Sequence, residues 1–253
     1  MKIAVSGKGG VGKTTISAAI IKRFARDFHV FAVDADPDIS LGSVLGIPED
    51  RVLALEPIVE MKDLINEKLG GDGAYYSLNP KVDDVLGKYS ITHGNIRFLK
   101  MGAVKKGGSA CYCKENTFLN ALLKSLIISS EEVVILDMGA GIEHLTRGTA
   151  QGVDGMLIVT EPSIVSVTTA KVISKLAREI GVKNVFFVAN KIRKEEEVNF
   201  LKSNLQGEKL IGSIPFSEEV LDMAMGIKGA DDVPALNAGI ENIYQELLKI
   251  IKK

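Results

Sequence analysis

Short apolar runs rich in Val and Ile alternate along the chain with longer segments in which apolar residues recur at helical spacing. Short continuous runs are typical of strands buried on both faces of a sheet, whereas the longer periodic segments are typical of helices. The pattern predicts strands at residues 2–6, 29–33, 96–101, 132–137, 154–160, 183–189 and 209–214. It predicts helices at residues 13–27, 60–68, 116–128, 143–151, 163–180, 194–204, 217–225 and 235–251. Their alternation predicts an α/β fold with a mostly parallel, doubly wound central sheet covered by helices on both faces.

The spacing of these elements indicates one domain spanning residues 1–253. No long Ser- or Pro-rich linker interrupts the pattern, and no repeat of fixed period divides it. Residues 70–94 carry several glycines and no clear period, so we expect them to run over the surface.

Composition narrows the classes of protein that the chain can represent. It is 46% apolar and 25% charged, which is enough apolar material for a substantial core. The formal charge of −1 gives no electrostatic reason to expect a nucleic acid or an anionic membrane as partner. The chain begins directly with a predicted strand, and no apolar run approaches the ~18–20 residues of a membrane span. We therefore expect a cytoplasmic protein.

A glycine-rich run lies between the first predicted strand and the first predicted helix, and it fits the spacing G-x-x-x-x-G-K-S/T. In such a loop, backbone N–H groups turn inward onto phosphates, the lysine reaches the β- and γ-phosphates, and the hydroxyl residue ligates Mg²⁺. Lys13 and Thr14 occupy the last two positions. The residues expected to bind the nucleotide here are Gly9, Gly10, Val11, Gly12, Lys13, Thr14 and Thr15.

Acidic residues follow two of the predicted strands at the edge of the sheet that also holds the phosphate loop. Asp34, Asp36 and Asp38 end the second strand, and Asp137 follows the apolar run at 133–136. Ligands bind at this edge in open α/β folds. We expect Asp137 to hold Mg²⁺, partly through water, because this ion keeps much of its hydration shell. Asp38 has two possible roles, an outer Mg²⁺ contact or a cap on the next segment.

The nucleotide base is expected to meet Asn190, which the sixth strand delivers to the same edge. Guanine-binding proteins usually continue as Asn-Lys-x-Asp, but this chain has Arg193 where the acid would stand, which favours adenine.

Cys111 and Cys113 are the two cysteines of the chain, and they lie one residue apart in a glycine-rich stretch. Two thiolates hold a single Ni²⁺ or Zn²⁺ poorly, because tetrahedral sites generally use four ligands. A symmetric dimer would supply two such pairs at its axis. The alternative is that both cysteines are small buried apolar side chains.

Residues 8–15 resemble the deviant Walker A motif of the MinD, ParA and nitrogenase iron-protein class of P-loop ATPases. The resemblance implies a homodimer in which Lys8 crosses the interface to the phosphates of the partner, as an arginine finger does in trans. It also implies that Asp36 positions the attacking water and contributes to the Mg²⁺ site. The turn at Pro215 matches a segment that flanks the adenine in this class, which makes Pro215 a second candidate beside the base, although a strand-to-helix turn needs no ligand to explain it. Lys8, Lys13 and Asp36 are thus the expected catalytic residues.

Within that class, residues 105–116 with their C-x-C and residues 137–148 resemble the nickel-insertion ATPases of carbon monoxide dehydrogenase maturation. That resemblance implies ATP hydrolysis, dimerisation linked to nucleotide and metal, and delivery of nickel to the dehydrogenase apoenzyme. Two alternatives stay open. One is an iron-protein-like reductase with a bridging iron–sulfur cluster. The other is a MinD- or ParA-type positioning switch, which the amphipathic residues 240–253 would serve, although a closing helix packed on the sheet explains their pattern better. Glu143 and His144 are assigned no chemistry.

Overall fold

The structure is a computed structural model, and it describes residues 1–36, 40–70, 77, 80–102, 113–126, 131–139, 153–224 and 233–251. Its strands are β1 (Lys2–Gly7), β2 (His29–Ala35), β3 (Ile91–His93), β4 (Ile96–Lys100), β5 (Glu132–Met138), β6 (Gly155–Thr160), β7 (Asn184–Ile192) and β8 (Lys209–Pro215). Its α-helices are α1 (Lys13–Phe24), α2 (Leu41–Leu45), α3 (Glu49–Ala54), α4 (Lys62–Leu69), α5 (Asp83–Lys88), α6 (Cys113–Ser125), α7 (Ile164–Glu179), α8 (Glu195–Asn204), α9 (Glu218–Ala224) and α10 (Pro234–Ile251). A short 3₁₀ helix covers Ile58–Glu60.

The described strands form one eight-stranded sheet in the order β3-β4-β2-β5-β1-β6-β7-β8. Neighbouring strands are parallel, apart from β3 and β4, which pair antiparallel. The carboxyl ends of the parallel strands therefore share one edge. The β1 strand lies between β5 and β6, so the loop that follows it leaves near the middle of that edge. This is where open α/β sheets bind ligands.

Helices cover both faces of the sheet and enclose two apolar cores. One core packs α1 and α10 against side chains that include Ile3 and Val5, and the other packs α6 and α7 against side chains that include Ala4. Successive residues of β1 therefore enter opposite cores, and all six residues of the strand are buried. A central parallel strand reads as a continuous apolar run for this reason.

The predicted α/β fold and its parallel sheet are confirmed. All seven predicted strands are present, and no strand end differs from the prediction by more than three residues. The helix predicted at 60–68 begins instead at Lys62, after the 3₁₀ helix, and the helix predicted at 143–151 lies outside the described residues. In the described part of the chain, no helix is both long and apolar enough to cross a membrane.

The prediction that residues 70–94 run irregularly over the surface is wrong for the part of this stretch that the structure describes. It contains α5 and β3, and Val85 and Leu86 of α5 are buried in the core. Helices α2 and α3 were likewise not predicted. All of these elements have six residues or fewer, which is too short for a hydrophobic period to stand out.

Candidate functional site

The glycine-rich loop joins the end of β1 to the start of α1, at the middle of the carboxyl edge. Gly10 and Gly12 have φ angles of 78° and 92°, in the left-handed region that side chains disfavour. A Cβ built at Gly12 would also overlap the side-chain amide of Asn190. Glycine is therefore required at position 12 both for the backbone conformation and for the close approach of another side chain.

Lys13 begins α1, and its side chain is enclosed, with 7% of the residue exposed. Its Nζ atom lies 3.4 Å from the carbonyl oxygen of Lys8, across the loop. Burial lowers the pKa of Lys13, while the charges of Asp137 and Asp36 oppose that shift. The ammonium group therefore contacts the loop and lies within electrostatic reach of two carboxylates.

Asp137, at the end of β5, is fully buried. Its Oδ1 atom accepts a 2.8 Å hydrogen bond from the Ser17 hydroxyl of α1, and its Oδ2 atom has no hydrogen-bond partner among the described residues. Burial raises the pKa of Asp137, and the nearby Thr14 and Ser17 hydroxyls and the Lys13 charge work against this. A buried carboxylate with one unsatisfied oxygen beside a threonine hydroxyl fits a Mg²⁺ ion with its water shell.

Asp34 stands in register with Asp137 on the adjacent strand β2 and is also fully buried. Its two carboxylate oxygens accept the backbone N–H groups of Asp36, at 3.2 Å, and Leu41, at 3.1 Å. Burial and the charge of Asp137 raise the pKa of Asp34 to about 7. Sequence reasoning assigned Asp34 no role, and the available signal was a charged residue inside an otherwise apolar strand.

Asp36 follows directly after β2 and is half-buried. It lies close enough to Lys13 for its charge to raise the pKa of that lysine. The structure therefore brings Asp36, Asp137, Lys13 and Thr14 together at one place. Asp38 lies outside the described residues.

A cleft of about 250 Å³ opens beside the loop, and the residues predicted to contact the base line it. Asn190, Pro215 and Thr15 all face this cleft, together with Phe216 from the turn after β8. Its polar and apolar lining is of the kind that ligand sites use. The contact of Asn190 and Pro215 with a base stays a prediction, and the cleft lies where that prediction requires it.

Asn190 has a further contact that sequence reasoning missed. Its Nδ2 atom donates a 2.7 Å hydrogen bond to the carbonyl oxygen of Val11, inside the loop. The next residue, Lys191, donates to the carbonyl oxygen of Gly10 at 2.6 Å and pairs with Glu161 at 3.2 Å. The end of β7 therefore holds the glycine-rich loop from one side. These contacts join residues about 180 positions apart, and nothing local in the sequence marks them.

The predicted metal-binding pair is only partly within the described residues. Cys111 lies outside them, and Cys113 is the first residue of α6. Elsewhere, the described ranges contain no group of three or more His, Cys, Asp and Glu residues that could hold a metal ion. The four-thiolate site therefore stays a prediction.

Comparison with known proteins identifies the family. Residues 2–226 match the model of the CobQ/CobB/MinD/ParA nucleotide binding domain. The chain is 41% identical to the carbon monoxide dehydrogenase accessory protein CooC of Rhodospirillum rubrum, over 87% of this chain and 85% of that protein. It is 39% identical to an uncharacterized ATP-binding protein of Methanocaldococcus jannaschii, over 99% and 98% of the two chains.

Solved structures show the same fold at lower identity. The septum site-determining protein MinD of Pyrococcus horikoshii, solved with Mg-ADP, superimposes with a TM-score of 0.71 at 19% identity, covering 98% of this chain and 96% of that one. The MinD cell division protein of Aquifex aeolicus gives a TM-score of 0.69 at 21% identity, covering 98% and 96%. At these identities the likeness establishes the fold. The chain belongs to the CobQ/CobB/MinD/ParA nucleotide-binding family, and it is a P-loop ATPase of that family.

Proposed function

We propose that this ATPase is a metallochaperone that helps to insert nickel into carbon monoxide dehydrogenase. The observation that carries the proposal is the 41% identity with CooC, a carbon monoxide dehydrogenase accessory protein. The C-x-C at Cys111 and Cys113 supplies the chemistry, because thiolates are suitable ligands for Ni²⁺ and Zn²⁺. In this proposal residues 1–253 act as one domain in the cytoplasm, with no nucleic acid or membrane as partner.

In this proposal each residue of the nucleotide site has a separate role. Backbone N–H groups of residues 9–15 and the Lys13 ammonium hold the phosphates of ATP, and the cleft beside Asn190 and Pro215 holds the adenine. Thr14 and Asp137 hold Mg²⁺, and Asp36 contributes to that site partly through water. The ion neutralises charge on the β- and γ-phosphates. Asp36 orients the attacking water.

Dimerisation links this site to the metal. Lys8 of each subunit crosses the interface to the phosphates bound by the other, so hydrolysis requires the dimer. The same two-fold axis gathers the two C-x-C motifs into four thiolates around one metal ion, which is the cargo. A thousandfold change of metal affinity between the ATP and ADP states needs about 4 kcal/mol of coupling. The free energy of ATP hydrolysis is large enough for such a change. Hydrolysis also returns the dimer to its starting state.

Native mass spectrometry tests the proposal. The parent, Cys111→Ser/Cys113→Ser and Lys8→Ala are each measured with Ni²⁺ or Zn²⁺ and with no nucleotide, ADP or a non-hydrolysable ATP analogue. We expect the parent to form a dimer that holds one metal ion. The double serine variant should lose the metal. Lys8→Ala should keep metal binding but lose ATP hydrolysis, which is measured separately as phosphate release. His93→Asn serves as the control, because it removes a possible ligand outside the C-x-C.

Three results would contradict the proposal. Metal-free monomers under all conditions would favour a switch ATPase of the MinD or ParA sort, which ATP-dependent co-sedimentation with liposomes would identify. Full metal binding by the double serine variant would exclude the thiolate site. An iron–sulfur absorption band after anaerobic reconstitution would favour the reductase.

Delivery to the client is measured as nickel-dependent activation of the dehydrogenase apoenzyme in the presence of ATP.

A further inference from the structure

Asp34 is a buried carboxylate whose hydrogen bonds bracket one short segment. Its Oδ1 atom accepts the backbone N–H of Asp36 at 3.2 Å, and its Oδ2 atom accepts the backbone N–H of Leu41 at 3.1 Å. Asp36 is the residue directly after β2, and Leu41 is the first residue of α2. A single side chain therefore fixes both ends of the segment that begins with the predicted catalytic acid.

The anchor itself is held rigidly. The backbone carbonyl of Asp34 accepts the N–H groups of Met101, at 2.9 Å, and Gly102, at 3.1 Å, beyond the end of β4. On its other side, Asp34 is in register with Asp137, which the Ser17 hydroxyl ties to α1. Asp34 thus sits between two neighbouring strands, with its own backbone hydrogen-bonded on one side and its neighbour Asp137 tied to α1 on the other.

Burying this carboxylate is costly, which argues that the position is used for more than packing. A carboxylate that is 0% exposed and lies beside a second buried acid loses solvation that two backbone hydrogen bonds replace only in part. An apolar side chain would fill the strand position at lower cost. An acceptor with two fixed oxygens is needed only if two N–H groups must be held at a set distance from each other.

We propose that Asp34 is a positioning residue for ATP hydrolysis, which fixes the backbone of Asp36 so that the Asp36 carboxylate is aimed at the attacking water. The inference rests on the role given to Asp36 under Proposed function. A displacement of about 1 Å in a catalytic group can reduce the rate about a hundredfold. The N–H that bonds to Asp34 belongs to the same residue as the catalytic carboxylate. Loss of that one hydrogen bond is therefore enough to permit such a displacement.

The competing explanation is that Asp34 only anchors the start of α2. Asp34→Asn keeps the shape but places an NH₂ group against one of the two N–H donors, and its effects on kcat, on KM and in the double variant separate the two explanations. The test measures kcat, the KM for ATP and the affinity for ADP in Asp34→Asn, Asp36→Asn and the double variant. Glu208→Gln is the control. Glu208 lies directly before β8 and accepts hydrogen bonds from Ser174 and Arg178.

We expect Asp34→Asn to lower kcat about a hundredfold while the KM for ATP and the affinity for ADP change by less than about threefold. In the Asp36→Asn background, adding Asp34→Asn should change kcat by less than about twofold, because the residue that it positions is already absent. Glu208→Gln should keep the parent kcat. A merely structural anchor would instead lower nucleotide affinity and kcat together, with independent effects of the two variants.

The outcomes also distinguish this inference from the function on which it rests. A parent-like kcat in Asp34→Asn beside an impaired Asp36→Asn overturns the inference alone. A parent-like kcat in Asp36→Asn overturns the role of Asp36 and the inference with it. If Asp34→Asn does not fold, Asp34→Ser, which keeps one acceptor, is measured in the same way. Failure of both to fold would overturn the inference in favour of a structural role.

Discussion

The Ser17 hydroxyl donates a 2.8 Å hydrogen bond to the Oδ1 atom of Asp137, and this bond joins α1 to the end of β5. Ser17 lies one helical turn after Lys13, so the bond links the helix that begins at the phosphate loop to the predicted magnesium ligand. Both residues are fully buried. The bond therefore ties the two halves of the nucleotide site together, although 120 positions separate them in sequence.

Replacing Ser17 by alanine should destabilise the protein by about 2 kcal/mol, because a hydrogen bond to a buried carboxylate is lost. The free energy of unfolding is measured with urea in the presence of EDTA. Ser125→Ala is the matched control, since the Ser125 hydroxyl bonds at 2.8 Å to the carbonyl of Leu122 within its own helix. The control should cost less than about 1 kcal/mol. An equal loss of unfolding free energy in the two variants would contradict this, because the bond to Asp137 would then stabilise the protein no more than an ordinary hydrogen bond.

Asn190→Ala should weaken nucleotide binding about tenfold, because the Val11 carbonyl loses its buried donor and the loop is released. Binding is measured for ATP, GTP and tripolyphosphate. Asn184→Ala is the control: Asn184 lies at the other end of β7 and donates a bond of similar length, 2.8 Å, to the carbonyl of Asp154. It should leave binding unchanged.

The pattern of loss across the three ligands separates two roles of Asn190. A loss shared by all three ligands would indicate that the residue holds the loop. A loss confined to ATP would indicate that the residue reads the adenine base. An unchanged affinity for every ligand would contradict both roles.

Features that depend on neighbours in sequence could be predicted, and features that depend on strand register could not. The apolar run at 133–136 predicts a buried strand, and the spacing of Gly12 and Lys13 predicts a phosphate loop. In contrast, the pairing of Asp34 with Asp137 follows from β2 and β5 being neighbours in the sheet. Strand order is a property of the whole fold, so the sequence held no local sign of it.

The acidity of Asp34 should appear in the pH dependence of stability. Burial and the charge of Asp137 raise its pKa from an ordinary 3.8 to about 7. Between these values the folded protein keeps a proton that the unfolded chain releases, so this residue makes the free energy of unfolding fall as the pH rises.

Asp34→Asn removes that contribution. The free energy of unfolding of the parent, relative to the variant, should therefore fall by about 2 kcal/mol between about pH 5 and about pH 7.5. Urea unfolding of both proteins in EDTA measures the difference. Parallel pH profiles for the two proteins would show that the pKa of Asp34 is not raised in the folded state.

Gly12→Ala should abolish tight nucleotide binding, and a second glycine with nearly the same backbone angle shows which of two causes is responsible. Gly12 has a φ of +92°, and a Cβ there would overlap the Asn190 amide, whereas Gly181 has a φ of +91° and open space around it. Alanine at either position costs about 1–2 kcal/mol of backbone strain. Only at position 12 does it also push Asn190 away from the Val11 carbonyl. Gly181→Ala should therefore lose stability in urea with unchanged ATP affinity, while Gly12→Ala should lose ATP affinity by more than about tenfold. Full ATP affinity in Gly12→Ala would show that the loop tolerates a side chain at this contact, and that Asn190 does not hold it.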